Sequence, residues 1–124
     1  MIESYHLTLE ECIRNCPLSV TYHLSLFHLS PSTFYIEGEV LFLKGFKLFI
    51  FEFLRSREDI IEREKYRYQC LSEDGMSIFR YDNAPHHQEV KTFPHHKHIG
   101  KEVLVSSNPG LAQVIEEIEK FILL

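Results

Sequence analysis

After Asn108-Pro109, apolar side chains recur at Leu111, Val114, Ile115, Ile118 and Ile122, a spacing that lines them along one side of an α-helix. Asn108 supplies an N-cap and Pro109 a first-turn residue whose φ is already set. A stripe this apolar must bury against a second layer, and the preceding chain offers strands for it. Val20–Leu29 is rich in β-branched and aromatic residues and stops at Ser30-Pro31. Phe34–Leu43 and Phe46–Leu54 are two β-prone runs joined at Lys44-Gly45, where glycine can take the positive φ of a tight turn. Tyr66–Leu71 and Met76–Tyr81 flank Ser72-Glu73-Asp74-Gly75, a second hairpin signal. Glu102–Val105 is a short final strand.

These elements predict an α+β domain, an antiparallel sheet of about five or six strands with the C-terminal helix on one face. Both faces of the long hairpin are apolar, so part of the sheet is covered on each side. Thr8 and Glu11 have capping-box spacing, and Leu9, Cys12, Ile13 and Cys16 follow at helical intervals until Pro17, which predicts a short N-terminal helix. Ser56–Lys65 is charged, with only Ile60 and Ile61 apolar, and reads as a solvated helical turn or a mobile connection. Asn83–Lys97 contains two prolines and little alternation, and reads as a loop between strands.

A chain of 124 residues with 44% hydrophobic and 25% charged residues makes one domain with a core of its own. The N-terminus is acidic and has no apolar h-region, so no signal peptide is expected, and Gly38–Leu54 carries four charges, so neither is a membrane span. An odd number of cysteines, 3, in no zinc-ribbon or redox pattern suits reduced, buried thiols. The cytoplasm is the expected compartment. A net charge of −5 does not favour nucleic acid, but Arg80, Lys91, Lys97 and Lys101 outnumber Asp82 and Glu89 over the segment Arg80–Lys101, which can face phosphates while the acidic C-terminal helix points away.

That segment also holds His86, His87, His95, His96 and His98, five of the eight histidines. Imidazoles change charge near neutral pH, so two of them in one site can act as general base and general acid. The runs Tyr66-Arg67-Tyr68, Asp74-Gly75, Phe79 to His87 and Phe93 to His98 resemble the hallmark segments of the TumE family of toxin-antitoxin toxins. The likeness is dense over 66–98 and looser before it. Glu52, near the end of a strand, is similar to an acidic position of that family. The resemblance implies a single toxin domain over 1–124, encoded beside a cognate protein antitoxin.

For such a toxin, RNA cleavage leads. It needs a base for the 2′-hydroxyl, an acid for the leaving 5′-oxygen and a cation for the phosphorane. His86, His87, His96 and His98 are the candidates for base and acid, Arg80 for the phosphate ligand and Asp82 for fixing an imidazole tautomer. Glu52, among Ile50, Phe51, Phe53 and Leu54, needs a partner, which Arg80 or a histidine can supply. Tyr68, Tyr81 and Lys97 are expected to bind substrate; in a non-catalytic binding module Tyr66, Tyr68, Phe79 and Tyr81 can form a stacking platform, though core packing explains most of them equally well. Three bland readings compete. Arg80 and Asp82 can be a hairpin salt bridge, and Asp82 to Pro85 can be only a turn. Adjacent histidines point opposite ways in extended chain, so one of each doublet is a bystander. His23 and His28 are read as structural. No cofactor is expected. A metal site built from His96, His98 and His86 or Asp82 is the alternative, and a non-catalytic module that binds nucleic acid or antitoxin is a third reading. An unpaired strand edge would permit a homodimer.

Overall fold

The computed structural model describes residues 1–124. The chain runs α1 (Ile2–Arg14), β1 (Ser19–His28), β2 (Thr33–Phe42), β3 (Lys47–Arg57), β4 (Ile60–Leu71), β5 (Ser77–Asp82), β6 (His96–Ile99), β7 (Glu102–Val105) and α2 (Leu111–Leu123). The strands form one antiparallel sheet of seven in sequence order. The α+β expectation holds, with more strands than expected.

One face of this sheet is covered by both helices. The α2 stripe of Leu111, Val114, Ile115, Ile118 and Ile122 is buried against inward side chains such as Leu48, Ile50, Leu54, Tyr68, Cys70 and Phe79. From α1, Ile2, Leu9 and Ile13 enter the same core. Each fully buried Leu or Ile contributes about 1.5–3 kcal/mol, so the stripe alone holds the helix down. Lys44, at the β2–β3 turn with φ 64°, donates from Nζ to the Ile122 carbonyl at 2.6 Å and satisfies the end of α2. Gly38 lies where β2 passes β1 so closely that a Cβ would come 2.0 Å from the His23 carbonyl oxygen. Only glycine fits there.

The opposite face carries no helix. Residues alternate along a strand, so it receives Phe49, Phe51 and Phe53 of β3, Arg67 and Gln69 of β4, Arg80 and Asp82 of β5, and His96 and His98 of β6.

Four local expectations need correction. Ser56–Lys65 is neither a helical turn nor a mobile connection, because β3 runs on to Arg57 and β4 starts at Ile60. Glu58 and Asp59 make the turn between them with φ of 49° and 66°, the left-handed pair of a two-residue hairpin, formed without glycine. The Asn83–Lys97 loop gives way at His96 to β6, whose His96 and His98 pair with Asp82 and Arg80. Helix α1 begins at Ile2, so Thr8 lies inside it and its Oγ1 donates to the Ser4 carbonyl at 2.9 Å instead of capping. The N-cap of α2 is Gly110, not Asn108, because Arg63 takes the Asn108 side chain and the Pro109 carbonyl.

Candidate active site

The end of β5 places the site. Arg80 and Asp82 are two apart and so share the open face, and β6 lays His98 and His96 opposite them. Between these strands the chain leaves through segment 83–95, pinned at both ends. Asn83 Oδ1 accepts from Tyr66 N at 3.0 Å and its Nδ2 donates to the Glu64 carbonyl at 2.9 Å, which extends the ladder past β5. Thr92 Oγ1 donates to the His95 carbonyl at 2.7 Å and accepts from Ser106 N at 2.9 Å. Held this way, the segment curls over the open face and encloses a cleft of about 690 Å³, a size that suits a small ligand or one nucleotide.

Asp82 is the hub, 7% exposed at its side chain. It accepts from Arg80 Nε at 2.9 Å and from His96 Nε2 at 2.8 Å. It also accepts from the Ala84 amide at 3.0 Å, while His98 Nε2 stands 3.6 Å away. The other nitrogen of His96, Nδ1, is 2.9 Å from the Pro94 carbonyl. Both ring nitrogens thus face oxygen acceptors, which fixes the ring's orientation. His98 differs. Arg80 Nη2 is 3.0 Å from its Nε2, and a guanidinium can only donate, so that nitrogen offers its lone pair. Burial holds the His98 pKa below the ordinary histidine value, and the Arg80 charge adds to this. His87 Nδ1 lies 3.1 Å from Glu89 Oε1, which leaves Nε2 for chemistry. The rings of His87, His96 and His98 are 4.8–5.4 Å apart, centroid to centroid.

His86, His87 and His96 all line the cleft, and only His95 of the two doublets does not. His86 is exposed at the rim. His95 stacks on Tyr66 and meets its hydroxyl at 2.8 Å, and burial and the nearby Arg63 hold its pKa low. His23 and His28 lie on β1, away from the cleft.

Four other residues expected at the site lie on the helix-covered face. Tyr68 is fully buried and its hydroxyl donates to Glu52 Oε2 at 2.5 Å. Tyr81 donates to Glu117 of α2 at 2.6 Å, and Lys97 pairs with the same carboxylate at 2.6 Å. Glu52 is buried and finds its partners in Tyr5 and Tyr68, not in Arg80 or a histidine. The expected stacking platform is corrected too, since Tyr66, Tyr68, Phe79 and Tyr81 all belong to that inner face. Strand parity is the reason: each stands one residue out of phase with Arg80 and Asp82.

Burial raises the Glu52 pKa above its ordinary 4.5, against the lowering effect of the two tyrosine hydroxyls. The folded chain therefore binds this proton more tightly than the unfolded chain. The associated stability is complete below about 4.5 and is lost as pH rises through the folded value. Glu52→Gln, neutral at every pH, is expected to flatten that part of the melting-temperature profile and to match or exceed the parent near pH 8. Glu52→Ala leaves two tyrosine hydroxyls without an acceptor and should cost about 1–3 kcal/mol. A Gln variant that melts well below the parent at pH 8 would show that the charged carboxylate stabilises the core.

Sequence reading missed two cleft residues, Lys65 and Arg67, and a residue outside the lining, Glu89. Glu89 holds His87, while Lys65 and Arg67 line the wall beside Arg80. The alternation of Arg67 and Gln69 within Tyr66–Leu71 was the available signal, and Lys65 fell outside it because Ser56–Lys65 was read as non-strand.

No helix is long and apolar enough to cross a membrane. Comparison with curated proteins and with solved structures found no match. The family model described as toxin TumE matches residues 9–123, a span that holds all seven strands, the cleft and all of α2. The chain thus belongs to the TumE family and is the toxin of a toxin–antitoxin pair, with a cognate antitoxin as its partner.

Proposed function

We propose that the toxin is a metal-independent ribonuclease whose reaction takes place in the cleft between β5, β6 and segment 83–95. The observation that carries this reading is the convergence of three imidazoles and a guanidinium around one buried carboxylate. Cleavage by the 2′-hydroxyl requires opposed proton transfers, and the trio supplies imidazoles in different hydrogen-bonding states. His98, whose Nε2 lone pair accepts from Arg80 Nη2 in the free protein, is the base. His87, oriented through Nδ1 by Glu89, is the acid that protonates the 5′-oxygen through Nε2. Arg80 turns its Nη2 from His98 to the phosphate as substrate enters, which frees the base and places a planar cation on the phosphorane. His96 stays locked between Asp82 and the Pro94 carbonyl as a positioning group. His86 serves at the rim, and Glu52, Tyr68, Tyr81 and Lys97 act through the fold.

One observation favours a metal instead. A nitrogen from each of His87, His96 and His98 lies within 4.8 Å of the others, a spacing that small side-chain movements can bring to three-ligand geometry. Against it, the Arg80 guanidinium stands beside the three rings and repels a divalent cation.

The test is cleavage of single-stranded RNA by the purified toxin in the presence of a chelator. Products ending in a 2′,3′-cyclic phosphate, formed at an undiminished rate, are expected. Loss of cleavage in chelator with recovery on added zinc would replace this mechanism by a metal-activated water. No cleavage of any RNA would leave a toxin that acts by binding.

A further inference from the structure

The open face of the sheet continues past the cleft as a row of aromatic rings. Phe27, Tyr35 and Phe53 sit opposite one another on β1, β2 and β3, and Phe51 stands two residues before Phe53. The rings of Phe27 and Tyr35 stack with centroids 4.5 Å apart. Tyr35 and Phe51 are 6.2 Å apart. None of these side chains packs under a helix, and Phe27 is 39% exposed. Where the row meets the cleft, Arg67 lies over Phe51 at 5.7 Å and Lys65 over Phe53 at 5.7 Å. Arg55 also approaches Phe53, but Glu64 holds it at 3.0 Å. Lys65 and Arg67 form no ion pair, and both line the same wall as Arg80, His87, His96 and His98.

We infer that this face binds single-stranded RNA, with bases stacked along Phe53, Tyr35 and Phe27 and the backbone led by Lys65 and Arg67 to Arg80. The inference rests on the ribonuclease reading for the identity of the strand and adds the path by which it reaches the cleft. Two kinds of group are needed to hold a single strand without reading sequence, flat rings for the base faces and free cations for the phosphates, and they occur here in that order. Neighbouring strands are about 4.8 Å apart, so the four spacings from β5 to β1 give a path of roughly 19 Å, enough for more than one base beyond the scissile bond. Glu37 and Glu39 stand on the same face, beside Phe51 and Phe49. They repel phosphate and confine the strand to the Phe53–Tyr35–Phe27 side. Double-stranded RNA, whose bases are already stacked, gains nothing from the rings.

The probe is a fluorescent 2′-O-methyl oligonucleotide, uncleavable because its nucleophile is blocked, compared with an abasic oligomer of equal length. Tyr35→Ala and Phe53→Ala should each weaken the 2′-O-methyl oligomer by roughly 5–150-fold, the range for loss of one base–aromatic stack. Abasic binding should hardly change. Phe53→Leu keeps apolar bulk without a π face and should behave like Phe53→Ala, whereas Tyr35→Phe should bind like the parent. If folded Tyr35→Ala and Phe53→Leu bind both oligomers like the parent, the path is wrong whether or not the toxin cleaves RNA. If they instead lose antitoxin or change oligomeric state while binding is untouched, the face belongs to a protein partner and the inference falls. A toxin that binds by these rings but cuts no RNA overturns the ribonuclease reading alone.

Discussion

His98→Ala is expected to lower RNA cleavage roughly 10²–10⁴-fold, the usual loss when a positioned base is removed, and to abolish growth arrest in cells. The ring is 21% exposed and its partners are Arg80 and Asp82, both of which keep other contacts or water when it goes. The melting temperature should therefore move little. His87→Ala should lose as much activity for the complementary reason, as the acid. His86→Ala should remain toxic, because that ring stands exposed at the rim. The pH dependence supplies a second readout. The lowered His98 pKa means that the base is already neutral at physiological pH, so the acidic limb of the rate profile should lie below the ordinary histidine value of 6.5. The same sign applies to folding: the unfolded chain takes up this proton first as pH falls, so His98 lowers stability progressively below about 6.5. Full activity in both His98→Ala and His87→Ala would remove the imidazole pair from the mechanism.

How much of this was legible in the chain depends on range. The α2 stripe and the Asp74-Gly75 hairpin are local patterns, and each occupies the place its spacing predicts. The Glu58-Asp59 turn was not legible, because its two positive φ values are borne by residues that sequence rules do not favour there. Missing it concealed β4 from Ile60 to Lys65 and with it the side on which Lys65 stands. His96 and His98 had period-two spacing, but two prolines nearby masked a four-residue strand. The histidine cluster was legible as a cluster, three of whose rings the fold brings together, and the family resemblance as a toxin. What no pattern revealed was parity across the sheet, which puts Arg80, Asp82, His96 and His98 on the open face and Tyr68, Tyr81, Lys97 and Glu52 on the covered one. Parity between strands is set by registers and bulges, such as the shifts at Phe53/Leu54 and Cys70/Leu71, and these are properties of the assembled sheet.

Asp82 tests whether the cleft is built or merely crowded. Asp82→Ala removes the acceptor of the Arg80 Nε, His96 Nε2 and Ala84 N–H groups together. Arg80, 37% exposed, can turn to water, but His96 at 2% cannot. Its Nε2 would stand without a partner in the wall, and a buried polar group left unsatisfied typically costs about 1–3 kcal/mol. In urea the unfolding midpoint should fall accordingly with an unchanged slope. Asp82→Asn keeps shape and one acceptor, but its amide then meets a donor, so it should lie between the parent and the alanine variant. Arg80→Ala should show the reverse pattern, a fold nearly as stable as the parent and a toxin without activity, since the guanidinium is needed for the phosphate more than for the sheet. If Asp82→Ala unfolds within about 0.5 kcal/mol of the parent, the range of an ordinary surface change, His96 does not depend on the carboxylate for its place. The site would then have to be rebuilt around Arg80 and His98 alone.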